Sequence, residues 1–116
     1  MDLTLLNLSE PAEVRTFEKG RFELYEVGPM MLGRATYEPG WIWSEHVAAD
    51  AGASLCEVEH VGLVLSGQAA VKMADGTERV MRAGELFYVP PGHDSWVVGD
   101  EPYDSLHIMG SEDYAA

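Results

Sequence analysis

From Arg21 to Val27 the chain alternates polar and apolar side chains, Arg-Phe-Glu-Leu-Tyr-Glu-Val. A period of two places successive side chains on opposite faces of an extended backbone, so the pattern predicts a half-buried β-strand. Gly28-Pro29 breaks it. Met30 to Tyr37 reads as the next strand, closed by Pro39-Gly40, and Trp41 to Val47 as another, with aromatic residues at alternate positions. The small-residue stretch Ala48 to Ser54 reads as a loop or a turn of helix. Leu55 to Leu65 is a longer strand in which Cys56, Val58 and His60 share one face and Glu57 and Glu59 the other. Carboxylates belong in water, so the Cys/Val/His face is expected to point inward. Ala69 to Met73 and Thr77 to Met81 flank Ala74-Asp75-Gly76, and Asp-Gly predicts a hairpin with a type I′ turn. Glu85 to Val89 stops at Pro90-Pro91-Gly92, and Ser95 to Val98 and Ser105 to Met109 complete the set. No window shows an apolar period of 3.6. Short strands with closely spaced turns predict an all-β sandwich or barrel.

At 116 residues the chain has room for one domain and one core. The opening residues, 1–13, are acidic and turn-like and are expected to form a loose arm. Charge narrows the choice of partner. The 7 Lys and Arg against 20 Asp and Glu give a net charge of −13. No basic stripe exists to neutralise phosphates, so neither nucleic acid nor an anionic membrane surface is an expected partner. The segment MDLTLLNLSEP has neither the basic start nor the apolar run of a signal peptide, and no apolar run is long enough to span a bilayer. A cytoplasmic protein is the expectation. Cys56 stands alone, which rules out an intrachain disulfide.

The glycine and proline punctuation carries a resemblance. Gly84, five residues, then Pro90-Pro91-Gly92 matches the start of the second cupin motif, and His60, six residues, Gly67 matches the end of the first. Over about 37–109 the chain resembles the cupin superfamily, which implies a double-stranded β-helix of the jelly-roll type with a metal inside the barrel. The sequence departs from the family pattern at several ligand positions. Ser95 stands at the second motif's histidine position, with His93 two residues before it, and Gly99 stands where Asn is usual. His60 occupies the place of the usual Glu. For the two histidines of the first motif, one alignment from Gly40 offers His46, with Ala48 at the second position. The other, counted back from His60, offers Ser54 and Cys56.

The expected metal ligands are therefore His46, His60, His93 and Cys56, with the three histidines converging on a common point. Residues two apart share a face of a strand, which lets His93 reach the cavity that Ser95 lines. Val58, Ser95, Val97 and His107 are the expected pocket residues. Asp94 is read as solvated or as an acceptor that orients an imidazole, and the methionines as core filler. Imidazole and thiolate donors point to a divalent transition metal of the Zn, Fe, Ni or Cu class. No Arg or Lys falls on the inward positions, so the expected ligand is small, neutral or weakly polar. Trp41 and Trp43 fall on an outward face in this reading, and a homodimer is expected to cover them.

Two functions fit these residues. One is a binding module, a small cupin holding a divalent metal, a small organic ligand, or both. The alternative is a metal-dependent enzyme, a dioxygenase, isomerase or lyase acting on a small neutral molecule. The absence of an evident acid or base beyond the histidines favours the first.

Overall fold

The computed structural model describes residues 2–48, 52, 54–112 and 114. Among the described residues nine strands and one short helix follow in order: β1 (Glu13–Phe17), β2 (Gly20–Val27), β3 (Met30–Tyr37), α1 (Trp43–His46), β4 (His60–Ser66), β5 (Gln68–Met73), β6 (Glu78–Arg82), β7 (Leu86–Val89), β8 (His93–Val97) and β9 (Tyr103–Met109). The alternating strands of the sequence are therefore found. They form a six-stranded sheet ordered β1-β2-β3-β9-β4-β7 and a three-stranded sheet ordered β6-β5-β8. Every pairing is antiparallel. The last strand, β9, lies between β3 and β4, so the chain's late residues close the wall that its early residues begin.

The faces follow from the pleat. Phe22 and Leu24 of β2, Ala35 and Tyr37 of β3, Val64 of β4 and Tyr103 of β9 fill the space between the sheets, together with Trp41, Trp43 and Cys56. Gly67 turns β4 into β5 with φ +76, and a Cβ there would stand 2.2 Å from the Pro102 carbonyl. Only glycine satisfies both conditions.

Three local expectations need correction. Trp41 to Val47 is not a strand. Ile42 makes a single bridge to Trp96 and α1 follows at once. A helical turn does not alternate its side chains, so Trp41 and Trp43 do not share an outward face, and both are buried. Trp41 stacks on Tyr37 with ring centroids 3.9 Å apart. Their burial removes the ground on which a second subunit is expected. The strand predicted from Leu55 starts only at His60, and Cys56 is held by a separate bridge to His93. The 74–76 turn is not type I′, since Gly76 has φ +93 but Asp75 is not in the left-handed region. Instead the Asp75 carboxylate accepts the Thr77 N–H at 2.9 Å, and Met73 N–H donates to the Thr77 carbonyl. Most of the Ala48–Ser54 stretch lies outside the described residues.

The arm expected over residues 1–13 has no regular structure before Glu13 among the described residues, and the Tyr25 hydroxyl donates to the Leu8 carbonyl. Among the described residues no helix is long and apolar enough to cross a membrane.

Candidate metal centre

Pro90, Pro91 and Gly92 form a corner between β7 and β8. The two prolines restrict φ, and Gly92 takes φ +88 to complete the reversal. The corner leaves the Pro90 carbonyl 2.8 Å from His93 Nδ1. A carbonyl can only accept, so Nδ1 carries the proton and Nε2 keeps a free lone pair. The backbone at this corner also meets Cys56. Cys56 N–H donates to the His93 carbonyl at 2.7 Å, and the N–H groups of Gly92 and His93 donate to the Cys56 carbonyl at 2.8 and 3.2 Å. These bonds place the thiol beside the imidazole.

His60, the first residue of β4, faces both. Its Nε2 lies 3.7 Å from Cys56 Sγ, and its ring centroid is 5.3 Å from that of His93. One donor atom from each of Cys56, His60 and His93 lies within 4.8 Å of the others, and all three residues are buried. His107 of β9 stands on the far side of His60, with centroids 5.1 Å apart, and its Nε2 is 3.1 Å from Ser105 Oγ. The Nδ1 atoms of His60 and His107 are buried with no hydrogen-bond partner among the described residues.

Burial sets the protonation of the group. It lowers the His60 imidazole to about 2, and the neighbouring His107 and His93 push in the same direction. It lowers His107 to about 4 and lowers His93 as well, against the raising effect of the Pro90 carbonyl. The Cys56 thiol is pushed up to about 11 by the same desolvation. All three imidazoles are neutral at physiological pH, the form in which they donate to a metal. The thiol would lose its proton only to a bound cation.

The donor set fits a transition metal. Two neutral imidazoles and one thiol suit Zn, Fe or Cu rather than Mg or Ca, and three protein ligands leave a position open. His93 has the hydrogen-bonded outer nitrogen that metal-binding histidines usually show. Beside the cluster is a cavity of about 30 Å³ whose lining includes His60, His93, Ser95, His107, Tyr37 and Tyr114. Among the described residues no Asp, Glu, Lys or Arg lines it. A water needs roughly 10–15 Å³ of such space, so the cavity takes only a water or two.

Not every expected site residue is in this group. His46 does not converge with the others. The Ile42 N–H donates to its Nδ1 at 2.9 Å, and its Nε2 faces Glu18 at 3.5 Å. It ends the single turn of α1, between the Ile42 backbone and Glu18. Ser95 and His107 line the cavity, whereas Val97 packs in the core and Val58 is half-buried against it. Asp94 is neither free in water nor bound to an imidazole: its carboxylate accepts the Ser44 N–H and hydroxyl at 3.0 and 2.7 Å, tying α1 to β8. Of the methionines, Met31 and Met81 pack against the core, whereas Met30 and Met109 are exposed. Tyr37, Tyr103 and Tyr114 line the cavity without having been singled out in the sequence. The alternation of β3 and β9 could have flagged the first two. Nothing in the local pattern points to Tyr114.

Solved structures share this architecture. A cupin 2 conserved barrel domain protein from Salinispora arenicola superposes with a TM-score of 0.57 at 18% identity, over 92% of this chain and 86% of that one. A cupin-like protein from Thermotoga maritima superposes at 0.59 and 13% identity, over 90% and 81%. The fold is that of a cupin. Oxalate decarboxylase from Bacillus subtilis, a protein with Mn(II) centres, also superposes, with a TM-score of 0.57 at 25% identity. That match covers 90% of this chain and 28% of the decarboxylase. No protein-family model and no curated protein matches the chain. On the cupin barrel the two alignments of the first motif are now distinguishable by geometry, because Cys56 faces His60 and His93 while His46 does not.

Proposed function

We propose that this cupin is a metal-binding module that holds a divalent transition ion through Cys56, His60 and His93 and presents its open position to a small neutral ligand. The observation that carries the reading is the His93 hydrogen bond. By donating Nδ1–H to Pro90, His93 keeps the lone pair of Nε2, and the residue stands in a buried cluster whose thiol and second imidazole offer donor atoms within 4.8 Å. A bound ion would supply Lewis acidity and a fixed positive charge in an otherwise uncharged cavity. The chain's own groups would orient the ion, exclude bulk water and keep the donors neutral until they bind. Among the described residues no carboxylate or cationic side chain lines the cavity to serve as acid or base, which favours binding over turnover.

The test is elemental analysis of protein purified without an affinity tag and dialysed against zinc. One metal per chain in the wild type, lost in Cys56→Ala and His93→Ala, is the expected result. No retained metal in the wild type contradicts the reading.

A further inference from the structure

The barrel wall is complete without the residues that follow β9. That strand pairs with β3 through Tyr103 to His107 and with β4 through Asp104 to Met109. Past it the chain turns at Gly110, where φ is +88 and a Cβ would stand 1.9 Å from the Glu59 carbonyl. After this turn Ser111 and Tyr114 are both buried. The Ser111 hydroxyl donates to the His107 carbonyl at 3.1 Å, and Arg15 donates to the carbonyls of Glu112 and Tyr114 at 2.9 and 2.7 Å. Tyr114 then enters the interior and is buried. Its ring centroid is 4.8 Å from Phe22 and 5.3 Å from His60, and its hydroxyl is 2.8 Å from the hydroxyl of Tyr37.

The phenol ring lines the cavity and packs against His60 and His107, yet its residue follows the last wall strand rather than belonging to it. It has the features of a bound ligand: edge contacts to aromatic rings, one directed hydrogen bond, and attachment through a segment outside the sheet. The geometry points to Tyr114 as an internal occupant of the ligand site, held in exchange with a small neutral phenol that takes its place. This rests on reading the barrel interior as the ligand site. It does not depend on the metal. With Tyr114 in place the cavity of about 30 Å³ admits no ring. With Tyr114 withdrawn, the vacated space has the shape of a phenol and retains the Tyr37 hydroxyl as its polar partner. A charged aromatic would enter without a counter-charge from the described residues, none of which lines the cavity with an ionic side chain.

Metal-free protein tests this with p-cresol as probe, toluene and benzoate as controls, and hydrogen exchange as readout. In the wild type, saturating p-cresol should remove protection from the peptide containing residues 109–114 and leave the wall strands protected, while toluene and benzoate do neither. Tyr114→Ala should bind p-cresol at least tenfold tighter than the wild type. Tyr114→Phe, which keeps the ring but not the bond to Tyr37, should fall between them. The idea is overturned if p-cresol leaves the 109–114 peptide protected, or if Tyr114→Phe binds it no better than the wild type. Either result stands whether or not Tyr114→Ala folds. A failure here with one metal still bound per chain would refute the exchange and spare the metal reading.

Discussion

His46 ends the short helix α1 and His93 follows the 90–92 corner, and each commits Nδ1 to a local backbone group. The partners differ in kind. The Ile42 N–H donates to His46, which uses up its lone pair, whereas His93 donates to the Pro90 carbonyl and keeps the lone pair of Nε2. The free nitrogen of His46 then faces an exposed carboxylate, whereas His93 belongs to a buried cluster with a thiol and a second imidazole. Residue type and proximity to a motif do not distinguish these histidines. The hydrogen-bonding character of the neighbouring backbone does, because it decides which ring nitrogen is left to coordinate.

The largest effect separates the packing of the two regions. Trp41 joins the 41–48 region to the barrel by stacking on Tyr37, so Trp41→Ala should cost about 3–5 kcal/mol in chemical denaturation. A cost below about 1 kcal/mol would mean that this region is not anchored there. Metal affinity separates the histidines next. Zinc titration should show His93→Ala weaker on the order of 100-fold or more, at the upper end of what even outer-sphere changes produce. His46→Ala should lie within about twofold of the wild type, since its nitrogens are engaged elsewhere.

A third effect comes from pH. In metal-free protein the unfolded chain protonates its histidines below about 6.5. Folded His107 and His60 resist protonation down to about 4 and about 2 because they are buried. Stability is therefore complete above pH 6.5 and is lost as pH falls, by about 1.4 kcal/mol per unit for each residue. Urea midpoints between pH 7 and 5 should show the fall, and His107→Gln should reduce its slope by close to one proton. The smallest effect is on stability at His46. His46→Ala loses one hydrogen bond to a partly buried N–H and should cost about 1 kcal/mol.

The sequence made one of these regions legible and obscured the other. Gly84, Pro90, Pro91 and Gly92 act through backbone restrictions that hold in any context, so their spacing located the corner and His93. The same is true of the period-two pattern in β2 and β3, where one face meets the core. Between Trp41 and Cys56 no such restriction operates. Alternating aromatics there suggested a strand, but four residues of helix and an isolated bridge satisfy the same burial. Cys56 and His46 were equivalent as ligands by spacing, and only the bonds between the Cys56 and His93 backbones separated them. Tyr114 was hidden for a different reason: its place is set by a glycine turn and an arginine about a hundred positions away, and long-range contacts leave no local period.

Cobalt(II) titration of the untagged protein tests the central claim, since a cysteine-bound cobalt shows a near-ultraviolet thiolate charge-transfer band and a tetrahedral site shows intense visible bands. The account predicts saturation at one equivalent with both features. It also predicts loss of the thiolate band in Cys56→Ala, loss of tight binding in His60→Ala and His93→Ala, and an unchanged spectrum in His46→Ala. A wild-type spectrum without the thiolate band, or one that His46→Ala abolishes and His93→Ala leaves intact, would contradict it.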